Sequence, residues 1–158
     1  MIALLAAPSL ARADIEVRFT ESAPKDRFTI TNVADCALGA SDITIDLAGS
    51  AAGLIFDTTG AGAGVEVFQP FELAAGGDYV TGTTATLDGD TEITLNLAEL
   101  PPGAAVAFTI DVDDTAGSDL GQIRVSGGEI AGASVRSGAD EGVFSDGAIA
   151  RVAAPCPV

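Results

Sequence analysis

Phe108-Thr-Ile-Asp-Val-Asp-Asp-Thr115 alternates apolar and polar residues as far as Val112 and then ends in carboxylates. In an extended chain successive side chains point to opposite faces. Phe108, Ile110 and Val112 therefore share one face, and Thr109, Asp111 and Asp113 share the other. The stretch reads as a half-buried β-strand that delivers acids to one end of a sheet. Similar alternation predicts strands near Ile15–Thr20, Arg27–Val33, Asp42–Ala48, Leu54–Phe56, Val65–Pro70, Glu92–Leu97, Ala105–Val112, Gln122–Ser126, Ile130–Val135 and Ala148–Val152. Between them lie Gly60 to Gly64, Gly76-Gly-Asp78, Asp88-Gly-Asp90, Pro101-Pro-Gly103 and Gly127-Gly128, where glycine supplies positive φ and proline a preset φ.

No window of helical length carries an apolar stripe at helical spacing. Short strands, about 8–10 of them with turns every 8–12 residues or so, predict an all-β fold. The expected architecture is an antiparallel two-sheet β-sandwich, immunoglobulin-like or jelly-roll-like. Ile93-Thr-Leu-Asn-Leu97, Leu100-Pro-Pro-Gly103 and Val106–Val112 read as strand, turn, strand, like the strand pairs of immunoglobulin-like modules on bacterial surfaces. The polar segment Gly76–Ala85 reads as a surface loop, and Asp140-Glu141 as part of another.

The chain has 158 residues, 47% of them hydrophobic, with 19 glycines, no tryptophan and the single tyrosine Tyr79. Its core must come from Val, Ile, Leu and seven Phe, which suit pleated strands. No apolar run approaches the roughly 20 residues of a membrane-spanning helix. With 23 acidic against 7 basic residues, the net charge is -16. Phosphate backbones and anionic membrane surfaces are repelled, so the expected partners include no nucleic acid and no membrane insertion. Cations, basic partners or saline surroundings suit such a surface. Histidine is absent, so no imidazole base exists for a serine or cysteine nucleophile. Glycoside hydrolysis by paired carboxylates is formally open, but no tryptophan offers a sugar platform. The expectation is a protein that is not an enzyme.

Met1 to Ala13 reads as a signal-peptide remnant: Ile2–Leu10 is apolar, and Ala11-Arg-Ala13 fits a small-x-small cleavage site. The alternative is a first strand or a tail. Residues 14–158 then form one domain, secreted to the periplasm or beyond. Cys36 and Cys156 fit a disulfide in an oxidising compartment, closing a loop of about 121 residues with a ceiling of roughly 5 kcal/mol. Two unrelated thiols are the other reading, and nothing completes a zinc site.

Calcium takes about six to eight oxygen ligands from carboxylates, carbonyls and water. Asp111, Asp113 and Asp114 offer three carboxylates where a strand meets a loop. In a regular strand Asp111 and Asp113 lie roughly 7 Å apart, so sharing an ion requires a bend after Val112. An EF-hand does not fit, because counting from Asp111 puts Ala116 at the glycine position and Gln122 at the bidentate glutamate. Further ligands must come from other loops, and Asp57 and Glu66 are the best placed. The alternative is a solvated acidic rim that discourages edge pairing. Asp88-Gly-Asp90 reads as a hairpin turn alone.

Three blocks carry a family resemblance: Ala23-Pro-Lys-Asp-Arg-Phe-Thr-Ile-Thr-Asn32 with Cys36, Ile45–Asp57 through Gly64-Val-Glu-Val-Phe-Gln-Pro-Phe71, and Phe108–Thr115. Together, over roughly residues 14–135, the chain resembles bacterial secreted proteins similar to the sponge aggregation factor core protein. The resemblance implies a β-sandwich and, from the sponge protein, calcium-dependent adhesion. It places candidate ligands at Asp57, Glu66, Asp111, Asp113 and Asp114. The chain departs from that family in being a single short domain without obvious glycan-attachment regions. The resulting expectation is a secreted calcium-binding module for cell-surface adhesion or extracellular self-assembly. Its partners would be further copies or an extracellular surface partner. The alternative is a metal-independent carbohydrate-binding or spacer domain.

Overall fold

Residues 13–22, 25–60, 68–115 and 125–154 are described in the computed structural model of the chain. The strands are β1 (Ala13–Thr20), β2 (Asp26–Asn32), β3 (Ser41–Asp46), β4 (Ile55–Asp57), β5 (Glu72–Ala75), β6 (Val80–Thr83), β7 (Glu92–Leu97), β8 (Ala105–Asp113), β9 (Ser134–Ser137), β10 (Asp140–Val143) and β11 (Ile149–Ala153). A 3-10 turn spans Gly77–Tyr79, and no α-helix occurs among the described residues. One sheet runs β11-β1-β2-β8-β4, with β5 also paired to β8; the other runs β10-β9-β3-β7-β6. Every pairing is antiparallel. The chain is an all-β two-sheet sandwich, as its alternation predicts.

The alternation explains the core. Phe28 and Ile30 of β2 and Val106, Phe108, Ile110 and Val112 of β8 turn inward from one sheet. From the other come Ile43 and Ile45 of β3, Ile93, Leu95 and Leu97 of β7, and Val135 of β9. All belong to a single buried cluster. Phe28 is wholly buried, with ring centroids 5.1 Å from Phe19, 5.2 Å from Phe108 and 6.5 Å from both Phe56 and Phe144. Opposed apolar faces of this kind bury their area only when the sheets stack, and that burial is the dominant favourable term in folding.

Several local expectations change. β7 and β8 are not a hairpin, because β7 pairs with β3 and β6 while β8 pairs with β2, β4 and β5. The Pro101-Pro-Gly103 segment instead carries the chain from one sheet to the other. Leu100, buried at 1% exposure, exchanges backbone hydrogen bonds with Leu38 and anchors the crossing. Gly76–Ala85 is not a loop throughout: it holds the 3-10 turn and the edge strand β6. Asp140-Glu141 opens β10. Residues 68–70 are not in a strand, and β5 follows at Glu72; the start of the predicted Val65–Pro70 strand lies outside the described residues. Val125 and Ser126 are also outside any strand, and the rest of Gln122–Ser126 is not described. Ile130 to Ala133 forms turns ahead of β9. The Met1–Ala13 reading falls almost wholly outside the described residues, with Ala13 opening β1.

The two sheets meet at their edges where β10 crosses β11. A Cβ on Gly142 would lie 2.1 Å from the backbone oxygen of Arg151, closer than any real contact. Glycine is therefore required for the backbones to approach. Gly142→Ala is expected to lower stability by about 1–3 kcal/mol through overpacking. This would be read as a lower urea midpoint at unchanged slope. An unchanged midpoint would show that the β10–β11 contact yields freely.

Candidate functional site

The acidic end is built on the pairing of β4 with β8. Their register sets Asp57 opposite Asp111, Phe56 opposite Val112 and Ile55 opposite Asp113. Cross-strand partners share a face. Phe56 and Val112 point into the core, so Asp57, Asp111 and Asp113 stand together on the other side. That side is not solvated: the three acids are 0%, 7% and 8% exposed. β8 is thus buried on both faces here, not half-buried, and Asp111 and Asp113 are no solvated rim. Asp114 follows the strand and is half-buried. Glu66 lies outside the described residues.

Two further acids join this end. Asp26 opens β2 at a position that alternates with Phe28 and Ile30, and it is 2% exposed. Its Oδ2 accepts the Val112 amide at 3.2 Å and its Oδ1 the Ser22 amide at 3.0 Å. The carboxylate caps backbone donors where the β2–β8 ladder ends. The parity with Phe28 was the readable signal: an acid at a core-facing position.

Asp88 arrives from the β6–β7 loop, and its sequence pattern signalled only a turn. That turn exists, closed by the Asp90 amide on the Leu87 carbonyl at 3.0 Å. It also folds back onto β4. The Phe56 amide donates to the Asp90 carbonyl at 2.8 Å, and the Gly89 amide to the Phe56 carbonyl at 2.9 Å. Asp88 Oδ1 accepts the amides of Thr58 and Thr59 at 2.9 and 3.1 Å. The loop of one sheet is thereby latched to a strand of the other, with the Asp88 carboxylate beside that of Asp57.

The electrostatics follow from this crowding. Burial, then the adjoining Asp88 carboxylate, then the charges of Asp113 and Asp111 raise the Asp57 carboxyl from 3.8 to about 7. Burial, then Asp113 and Asp26, raises Asp111 to about 7. Burial raises Asp26 to about 7 against the pull of its two amide donors. Among the described residues, neither Asp57 oxygen has a hydrogen-bond donor. Two ionised carboxylates are both acceptors, so Asp57 and Asp88 can bond only through a proton held between them. Otherwise they need a cation. Among the described residues, no three carboxylates are disposed to hold a metal ion by themselves.

The far end of the sandwich is chemically different. An open cleft of about 500 Å³ lies there between the start of β3 and the β9–β10 turn, lined by Gly39, Ala40, Gly138 and Ala139 among others. It is remote from the buried acids and takes no part in their chemistry. Cys156 lies outside the described residues, and with it the predicted pairing to Cys36. No helix among the described residues is long and apolar enough to cross a membrane.

The class defined so far is an all-β sandwich with a knot of buried carboxylates at one end. No protein-family model matches the chain, and no curated protein matches it. Among solved structures it is similar to a family GH18 chitinase from Chromobacterium violaceum, at 14% identity and a TM-score of 0.31. That likeness covers 96% of this chain but 20% of the chitinase chain, and it carries no functional weight.

Proposed function

We propose that this chain is a secreted calcium-binding β-sandwich module, acting in cell-surface adhesion or extracellular self-assembly and tied by a Cys36–Cys156 disulfide. The observation that carries the reading is Asp57. A carboxylate at 0% exposure, with no donor on either oxygen among the described residues and further carboxylates around it, is a costly arrangement unless a proton or a cation joins it. Oxygen-only donors suit a hard cation, and calcium tolerates an irregular shell of carboxylates, carbonyls and water. The acidic surface and the absence of histidine agree with a binding role rather than catalysis.

Thermal unfolding in EDTA, in millimolar calcium and in magnesium tests this. Free calcium at 100 times its Kd stabilises by about 2.7 kcal/mol, a rise of several degrees for a chain of this size. A calcium-specific rise is expected; no rise with any of these ions overturns the calcium reading. Light scattering should show a larger mass in calcium than in EDTA, and one monomer mass in both sinks self-assembly. Two titratable thiols in the native, unreduced protein would sink the disulfide.

One observation favours the metal-independent module instead: among the described residues no three carboxylates are disposed to hold a metal ion by themselves. That reading predicts no calcium response and, for its carbohydrate-binding form, a positive glycan array.

A further inference from the structure

The strongest signal for a ligand is the set of buried polar atoms left without partners. Among the described residues these are Asp57 Oδ1, Asp57 Oδ2 and Thr86 Oγ1. Native folds leave few such atoms, because each unsatisfied buried group keeps its full desolvation penalty, and a charged one a larger penalty. The three belong to two segments that are hydrogen-bonded to each other. Asp57 ends β4, and Thr86 sits in the β6–β7 loop that the Phe56, Gly89 and Asp90 backbone bonds fasten to β4. Asp88, two residues beyond Thr86, lies against Asp57 and is oriented by the Thr58 and Thr59 amides.

We infer that Asp57, Asp88 and the Thr86 hydroxyl ligate one calcium ion that ties the β6–β7 loop of one sheet to β4 of the other. The inference rests on the calcium reading above and names its ligands. Two carboxylates balance the charge of one dication. The Thr58 and Thr59 amides, both donating to Asp88 Oδ1, fix the direction of that carboxylate as outer-shell partners do in metal sites. The third side-chain ligand is a neutral hydroxyl, which accords with the finding that no three carboxylates among the described residues are disposed to hold a metal ion by themselves. Backbone carbonyls and water complete a shell of about six to eight oxygens. Asp111 and Asp113 then act on the ion through their field, both close enough to bear on Asp57.

Calorimetric titration of the whole chain with calcium chloride at about pH 8 tests the assignment on the wild type, Asp88→Asn, Thr86→Val and the far-end control Asp140→Asn. Asp88→Asn keeps an oxygen for the Thr58 and Thr59 amides but removes the charge. Thr86→Val keeps the shape but removes the hydroxyl. The expected result is a Kd weakened about 10-fold or more by Asp88→Asn, weakened several-fold by Thr86→Val and unchanged by Asp140→Asn. Unfolding in EDTA at the same pH confirms that each variant is folded. If the wild type binds calcium and both loop variants bind as tightly, the ligand set is wrong while the calcium reading stands. If the wild type binds neither calcium nor magnesium, both fail, and the Asp57–Asp88 pair is joined by a proton.

Discussion

Raising the pH from about 5 to about 8 in EDTA is expected to cost the folded chain several kcal/mol of stability. Asp26, Asp57 and Asp111 have folded values near 7 against 3.8 for the free side chain. The unfolded chain has already lost these protons at pH 5, whereas the folded chain still holds them. Between those values the native state binds more protons than the unfolded state, so stability falls as pH rises. Their contribution is complete below pH 4 or so and is lost as the pH passes through about 7. One isolated group shifted this far corresponds to roughly 4 kcal/mol. The three share a neighbourhood, so each proton taken up relieves the others, and their sum is smaller than three times that figure. Glu16 works in the opposite direction: the Arg151 guanidinium, with help from Arg18, lowers its value, and that stability is lost in acid. Urea midpoints should therefore fall steadily from pH 5 to pH 8. Asp57→Asn should raise the pH 8 midpoint and flatten the profile, because it removes a buried charge that has no donor. Calcium should restore the wild type at pH 8 and do little for that variant. A wild-type midpoint that is level or rising between pH 5 and 8 in EDTA would mean these carboxylates ionise freely.

The sequence was legible where burial is one-sided or the strand is central. β2, β3, β7 and β8 all alternate, because inward positions must be apolar and their neighbours face away; their predicted bounds lie within two residues of the observed ones. Edge strands gave weaker signals. Val80-Thr-Gly-Thr83 and Asp140-Glu-Gly-Val143 have few or no buried side chains, so no period of two is imposed on them. Gly142 is the one buried position in β10, and it must be glycine because Arg151 passes so close. Alternation also says nothing about which strands pair, which is why β7 and β8 looked like a hairpin.

The acidic end was half legible for the same reason. Asp57, Asp111 and Asp113 stood at strand ends and were brought together by register. Asp26 could have been found from its parity with Phe28 and Ile30. Asp88 could not, because its part comes from a long-range fold-back of the β6–β7 loop onto Phe56 and Thr58. Local turn chemistry masks that contact, since Asp-Gly-Asp satisfies a turn whether or not anything lies beyond it.

Phe28→Ala is expected to cost about 3–5 kcal/mol, the usual loss for a large core aromatic. Phe28 is wholly buried and stacks on Phe108, its cross-strand partner, with an interplanar angle of 16°. It also meets Phe19 of β1, Phe56 of β4 and Phe144, which follows β10, so truncation leaves a void that no single neighbour can fill. The consequence reaches the acidic end, because Phe56 carries the backbone bonds that hold the Asp88 loop and neighbours Asp57 in β4. Small domains have only about 5–15 kcal/mol in total. A chain already weakened by ionised, buried carboxylates at pH 8 has little margin for such a loss. Phe28→Ala should therefore remain folded near pH 5 but be largely unfolded at pH 8 in EDTA, and calcium should recover part of the folded population. Circular dichroism melts at the two pH values, with and without calcium, measure this directly. Equal losses at both pH values, with no recovery in calcium, would separate the aromatic core from the acidic end and limit the role of Phe28 to packing.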